Sequence, residues 1–375
     1  MRICMLADAC SLRVQRLAAG LVRRGHDVRI VSHRVCAVPS VVVERYSVPR
    51  FGWRYPVRYA HRKSMYLRRL MRQHDVVHVQ FLQDFGLTPR IAAAGRLVVS
   101  PLGSDIVNPP DAPPCPEGTV RMRRELLRMA DVVSVCSHAF AAEVAKFGGL
   151  AADDIEVIPM GVDLERFRPR PNGPDRPPTV GFLKGFKAVY GSTVLIQAIP
   201  KVLSHAPQAR FEMVGDGPMH DGCRALSERL GVAHAITWTG WLPHDRVPQT
   251  IGGWDVSVVP SLSESFGVAA LESQAMEVPV VASRVGGLVE TVREGQTGLL
   301  VRPCDPEALA EAVVALLGDE QRRRAMGAAG RSMVEREYEW GSCLERWESL
   351  FRRAACRPLA AQETAALGRC VENRP

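Results

Sequence analysis

The stretch Val256-Ser257-Val258-Val259-Pro260-Ser261-Leu262-Ser263-Glu264-Ser265-Phe266-Gly267-Val268-Ala269-Ala270-Leu271-Glu272 decides how this chain is read. Its apolar start, Val256–Pro260, reads as a buried strand of a parallel sheet, and Val268 to Met276 is a run of good helix formers. Glu264 falls in the turn at the strand's carboxyl end, and Glu272 follows eight positions later inside the helix. Ser265, Phe266 and Gly267 put backbone N–H groups at the helix start, and such a terminus with a glycine for close approach suits phosphate. Flanking carboxylates suit sugar hydroxyls, because an ionised carboxylate only accepts hydrogen bonds. A diphosphate carrying a sugar at each end would satisfy all of these groups. On the two glutamates alone, an ordinary strand-turn-helix with surface carboxylates is an equal alternative; the flanking residues separate the two readings.

Those flanks are P-S-L-S-E-S-F-G-V-A-A-L-E-S-Q-A, then V-P-V-V-A-S-R-V-G-G-L-V-E, then G-x-T-G-L-L-V. Together they closely resemble the donor-site signature of family 4 glycosyltransferases. The resemblance implies an α/β GT-B fold: two facing Rossmann-like domains with a cleft between them and a C-terminal helix crossing back. It also implies transfer with retention of configuration. Within the signature it assigns Glu272 to the ribose hydroxyls, Glu264 to the transferred sugar, and the amides of Ser265, Phe266, Gly267 and Val268 to the donor. The likeness spans nearly the whole chain, strongly from Val157 to Tyr338 and weakly from Cys36 to Gln73.

A length of 375 residues suits two domains, and 46% hydrophobic with 23% charged residues describes a soluble globular chain. No apolar run reaches the roughly 18 residues of a membrane span, and Met1–Cys10 goes directly into a strand without a signal peptide's apolar run. Ten cysteines with no C-x-x-C pair argue against a zinc cluster or a disulfide framework, and for free thiols in a reducing cytosol. The net charge of +8 is uneven: nine basic residues and no acidic one lie between Arg45 and Arg72, interleaved with Trp53, Tyr55, Tyr59 and Tyr66. A solvated helix face accounts for this. Peripheral binding of anionic lipid at the inner membrane face through Arg50–Arg72 and a basic face for an acidic acceptor are the functional alternatives. Charge alone would allow nucleic acid, but no recognition motif accompanies it, so no nucleic-acid partner is expected.

From the start, Arg2–Leu6 reads as a strand, Leu12–Arg24 as a helix ended by Gly25, and Val28–Ser32 as a second strand, the opening of a Rossmann-like unit. His26 reads as a structural residue at the helix end. The loop Ala7–Ser11 lacks the Gly-Gly pair of many family members; it is similar to a smaller set with D-A-x-S-x-x-x-Q-R, which makes Ser11 and Arg16 acceptor-side candidates. His78 and Gln80 alternate with valines in the strand Val76–Gln80 and share one face, so His78 is a further acceptor-side candidate. Leu102 stands where many relatives carry a histidine, so no catalytic histidine is carried over. Asp105 touches donor or acceptor, or else caps a turn. Ile106–Gly118, with five prolines, reads as a loop, followed by a helix at Met122–Met129, a strand at Asp131–Cys136, and a helix from Ser137 to about Phe147. His138 reads as a cap neighbour.

The proline-rich stretch Arg168–Pro178 marks a boundary. The expected division is 1–167 as an acceptor-side domain, 168–178 as linker, 179–338 as nucleotide-sugar-binding domain, 339–357 as crossover helix and 358–375 as tail. In the common family pattern an arginine and a lysine neutralise the diphosphate; Phe182 and Tyr190 occupy those places here. Lys184 and Lys187 lie in the same loop and can supply the charge, since a flexible lysine acts as a point charge without strict geometry. A family subset with K-x(5)-Y-G is similar to Lys184, Tyr190 and Gly191, so either lysine is a substitute. Gly215 in G-x-G-P and Leu242 beyond the strand Ile236–Gly240 complete the donor-side candidates.

The implied chemistry is metal-independent and uses no cofactor beyond the nucleotide sugar as co-substrate. Fixed N–H dipoles and lysine stabilise the leaving diphosphate, and that phosphate accepts the proton of the attacking hydroxyl on the same face. Glu264, Lys184 and Lys187 are the catalytic candidates. The function read here is a retaining hexosyltransferase using a UDP- or GDP-linked donor and a carbohydrate, lipid-linked or small-molecule acceptor, located in the cytoplasm. The rival, motivated by Phe182, Tyr190, Leu102 and the missing Gly-Gly, is a related nucleotide-sugar-binding protein with weak or no turnover.

Overall fold

The computed structural model describes residues 1–46, 56–82, 85, 87–107, 113–169 and 176–356; for 56–63, 89 and 90 it describes the backbone only. Arg50, Trp53, Arg54, most of the linker and the tail lie outside the described residues. Among the described residues the chain divides into two compact units, one built from 1–107, 114–158 and 344–356, the other from 159–343 with Pro113. This boundary falls earlier than the expected 167/168. The reason lies in the second unit: Val162 bridges Glu339, and Phe167 is wholly buried there with its carbonyl accepting from Arg331 Nη1.

The first unit runs β1 (Arg2–Leu6), α1 (Leu12–Arg23), β2 (Asp27–Ser32), β3 (Val42–Arg45), α2 (Pro56–Gln73), β4 (Val76–Gln80), α3 (Pro89–Ala92), β5 (Leu97–Ser100), α4 (Glu117–Met129), β6 (Val132–Val135), α5 (His138–Gly148) and β7 (Ile155–Val157). Its seven strands are parallel, in the order β3-β2-β1-β4-β5-β6-β7. Short valine-rich runs joined by helical crossovers give this arrangement, because helices cover both faces and the strands need no polar side. The helix α4 begins at Glu117, five residues before the expected Met122. Pro116 sits at the N-cap, and a helix start tolerates proline because its missing N–H has no partner there anyway.

Cysteine usage also departs from the expectation of free thiols. Cys10, in the loop after β1, is joined to Cys36, beyond β2, in a disulfide across 26 positions. Neighbouring parallel strands bring their following loops together, a proximity that local spacing does not report. The other described cysteines are not disulfide-bonded.

One face of this sheet carries a polar row. His78 shares a hydrogen bond with Ser100 Oγ at 2.8 Å, and Ser100 shares one with Ser134 at 2.6 Å. The final helix α13 (Trp340–Cys356) covers that row within the first unit: His78 packs on Trp347 and Phe351, with ring centroids 5.1 and 5.2 Å away. On the same helix Glu348 pairs with His26 at 3.0 Å and Arg24 at 3.1 Å.

The second unit runs β8 (Thr179–Leu183), α6 (Ser192–His205), β9 (Arg210–Val214), α7 (His220–Arg229), β10 (Ile236–Gly240), α8 (Val247–Ile251), β11 (Val256–Val259), α9 (Val268–Ala275), β12 (Val280–Ser283), α10 (Leu288–Thr291), β13 (Gly298–Val301), α11 (Pro306–Leu317) and α12 (Glu320–Glu337), then enters α13. Its six parallel strands lie in the order β10-β9-β8-β11-β12-β13, the 3-2-1-4-5-6 order of a nucleotide-binding unit. The order reverses between β8 and β11, so the loops after these two strands diverge and open a crevice at their carboxyl ends. Phe182, at the position where relatives carry an arginine, is wholly buried in the main core of this unit.

His78 generates a test. Burial, followed by the nearby Arg13 charge, pushes its pKa from 6.5 down to about 3. The unfolded chain therefore binds one more proton between those values, and stability present above pH 6.5 is lost as the pH falls. We expect a slope contribution of up to about 1.4 kcal/mol per pH unit in this window, absent from His78→Leu, measured by urea unfolding from pH 7 to 4.

Candidate active site

The crevice of the second unit gathers residues far apart in sequence. The loop Lys184–Gly191 leaves β8 and the loop Ser261–Gly267 leaves β11, and they are sutured by a backbone bond from Leu262 N to Val189 O at 2.8 Å. Gly191 is left-handed, at φ +66°, and a Cβ there would lie 1.9 Å from Pro260 O, so only glycine permits the contact. In this arrangement Lys184 Nζ donates to Glu264 Oε2 and lies 4.8 Å from the centroid of the Tyr190 ring, a cation–π contact. The Lys184 and Glu264 side chains are only 14% and 11% exposed, low enough for solvent screening to be weak. Burial lowers the Lys184 pKa, but the Glu264 charge and hydrogen bond outweigh it, with smaller help from Tyr190 and Glu272, so the net direction is upward. The ammonium stays charged. Lys187 is exposed in the same loop.

The helix α9 starts behind Gly267, which has φ +100° and no side-chain cap. A Cβ on Gly267 would come within 2.6 Å of Leu288 Cδ2. The leading N–H groups of α9, including that of Val268, have no carbonyl ahead of them in the helix and carry its positive dipole end. Phe266 is buried against Tyr338, with centroids 5.9 Å apart, and its carbonyl accepts from Thr291 Oγ1 at 3.1 Å; its side chain anchors the loop. The Gly286-Gly287 turn supports the loop from below. Gly287 N donates to Glu264 O at 2.9 Å, and a Cβ on Gly286 would sit 2.1 Å from that oxygen. Gly215, at φ +132°, is closed against Lys184 O at 2.0 Å from its hypothetical Cβ. A side chain at Gly215 would therefore collide with the protein's own backbone.

Glu272 lies on α9 with its side chain 8% exposed, and Oε1 is 2.9 Å from His244 Nε2. His244 follows Leu242 in the loop after β10, and its Nδ1 is 2.9 Å from Arg166 Nη1. Neither His244 nor Arg166 is among the residues the sequence singled out. His244 lies two residues beyond Leu242, and only the fold brings α9 alongside.

In the first unit the acceptor-side candidates separate. Ser11 is the N-cap of α1 with no side-chain cap bond, and Arg16 lies on that helix. Asp105 is wholly buried and accepts from the backbone N–H groups of Leu82, Leu102 and Gly103 at 2.8 to 2.9 Å; it anchors the turn, the second of the two roles open to it. His78 is wholly buried between sheet and α13, which corrects its placement as an acceptor-facing residue. Alternation set its face, and a helix from the far end of the chain covers that face.

A doubly wound unit with a lysine, two carboxylates and a helix N-terminus at its switch point has the groups a nucleotide-sugar donor requires, and this chain belongs to glycosyltransferase family 4. The profile described as Glycosyltransferase Family 4 matches residues 11–166, and that of Glycosyl transferases group 1 matches residues 163–333. The chain is 32% identical, over 73% of its length and 76% of the relative, to the GDP-mannose-dependent alpha-(1-6)-phosphatidylinositol monomannoside mannosyltransferase of Mycolicibacterium smegmatis. It is 34% identical, over 54% of its length and 49% of the relative, to the D-inositol 3-phosphate glycosyltransferase of Nocardia farcinica. Among solved structures it resembles sucrose-phosphate synthase from Thermosynechococcus elongatus, with TM-score 0.78, 22% identity and coverage of 94% and 98% of the two chains. It also resembles Anabaena HepE in complex with UDP and glucose, with TM-score 0.75, 19% identity and coverage of 94% and 99%. The fold is GT-B, and the protein is a glycosyltransferase that uses a nucleotide-sugar donor.

Removing one partner of the Lys184–Glu264 pair strands the other charge. Lys184→Ala should lower the unfolding free energy by about 3 kcal/mol, while Lys184→Met combined with Glu264→Leu should recover most of it. Urea titration of both variants checks this; equal losses would show that the pair does not act as a unit.

Proposed function

We propose that the protein is a retaining, metal-independent hexosyltransferase, and that Lys184, Glu264, Glu272 and the amides opening α9 form its donor site. The observation that carries this reading is the contact between Lys184 and Glu264, 80 positions apart in sequence, at the switch point where a doubly wound sheet binds its ligand. Lys184 supplies the positive charge that Phe182 and Tyr190 do not. With the dipole of α9 it stabilises the charge that develops on the leaving diphosphate, in place of a metal. Glu264 accepts from hydroxyls of the transferred sugar, Glu272 from the ribose. The bond from anomeric carbon to phosphate oxygen breaks while the acceptor oxygen bonds from the same face, and the freed phosphate oxygen takes the acceptor's proton. No protein nucleophile is used.

GDP-mannose is the first donor to test, because the M. smegmatis relative is named for it. A polyol phosphate or a lipid-linked inositol is the acceptor class suggested by the same relatives. Transfer with proton NMR of the product's anomeric centre, in the presence of a chelator, tests retention and metal independence together; an inverted product or full loss of activity with chelator refutes them. Glu272→Ala should weaken nucleotide binding in calorimetry by about 1–3 kcal/mol. Glu264→Ala should mainly lower kcat, and wild-type turnover would remove it from the site.

A lipid-linked acceptor would also give α2 a role. Among its described side chains Met65, Arg69 and Arg72 are exposed, while Leu67, Leu70 and Met71 are buried, so an apolar and basic face is left toward solvent. Sedimentation with phosphatidylserine vesicles, reduced by Arg69→Glu with Arg72→Glu and by high salt, is the expected outcome. No binding to these vesicles at low salt would remove membrane association from the proposal.

A further inference from the structure

The donor carboxylate is held by a residue for which the resemblance provides no role. Arg166 Nη1 and His244 Nδ1 lie 2.9 Å apart, and a guanidinium nitrogen only donates. Nδ1 must therefore be the accepting, unprotonated nitrogen, which places the ring hydrogen on Nε2. That Nε2–H points at Glu272 Oε1, 2.9 Å away. The imidazole is also fixed sideways by the buried Phe167 ring, with centroids 5.7 Å apart. Arg166 thus selects one tautomer of a neutral histidine, and that tautomer donates to one oxygen of Glu272, leaving the other oxygen as an acceptor. A carboxylate on a side chain with three rotatable bonds is then restricted to one orientation before any ligand arrives.

We propose that His244 is a positioning residue for donor recognition, aiming Glu272 at the ribose hydroxyls with its tautomer set by Arg166. The proposal rests on the reading of Glu272 given above. The loop after β10, which carries the donor-side candidate Leu242, thus also supplies the side chain that reaches Glu272.

The test is a set of calorimetric titrations with GDP and UDP, and with the 2′,3′-dideoxy form of whichever binds the wild type more tightly. His244→Ala should weaken binding of the natural nucleotide roughly tenfold and leave binding of the dideoxy form nearly unchanged, since the misaimed carboxylate then has nothing to meet. His244→Gln should restore most of the affinity, because its amide nitrogen can donate to Glu272 while its carbonyl accepts from Arg166. In transfer assays the loss should fall on the donor KM more than on kcat. An equal loss for natural and dideoxy nucleotides, or no rescue by His244→Gln, would make His244 merely structural and overturn the proposal. If Glu272→Ala binds the natural nucleotide weakly but His244→Ala binds it as the wild type does, the donor-site reading stands and this inference alone fails. If Glu272→Ala itself has no effect, both fall together.

Discussion

The structure of the donor-binding unit depends on one topological constraint: β8 and β11 are neighbours in the sheet although 72 residues separate Leu183 from Val256. The chain leaves β8 for a helix that shares a core with α11, and leaves β11 for one that packs on α12. Two loops that part in this way must be stitched wherever they still touch. Gly191 against Pro260 and Leu262 against Val189 are those stitches, and Gly286, in the turn after β12, closes on Glu264 in turn, each a close backbone approach. Lys184 and Glu264 meet because of them, and the ion pair is a product of the sheet order before it is a feature of chemistry.

A lysine braced by Glu264 and resting over Tyr190 is a different device from a paired arginine and lysine. It offers one compact charge without the bidentate fork, and Glu264 holds that charge ready without neutralising it by proton transfer. Tyr190 belongs to the same arrangement, since its ring centroid lies 4.8 Å from the ammonium. Phe182, freed of any polar duty, joins the core.

What could be read from the chain alone follows the range of each interaction. The strand-turn-helix around Glu264 was readable in detail because its parts are adjacent, and the GT-B architecture followed from it by resemblance. His78 was misplaced because alternation gives a side chain's face and not what covers it; Trp347 and Phe351 arrive from the other end of the chain. Asp105 had two possible roles, and three backbone N–H groups decide for the turn. His244 and the Cys10–Cys36 bridge escaped for the same reason. Each joins two segments that follow different strands, and no local pattern announces such a meeting.

The division of α13 between the units has a consequence for synthesis of the protein. Leu350, Phe351 and Ala354 are wholly buried in the unit that the N-terminus begins. On the ribosome that unit must wait, its polar row of His78, Ser100 and Ser134 uncovered, while the other unit is translated in full. The order of completion is therefore the reverse of the order of emergence. Removing the last turns of α13, with Leu350, Phe351 and Ala354, would injure the half of the molecule made first.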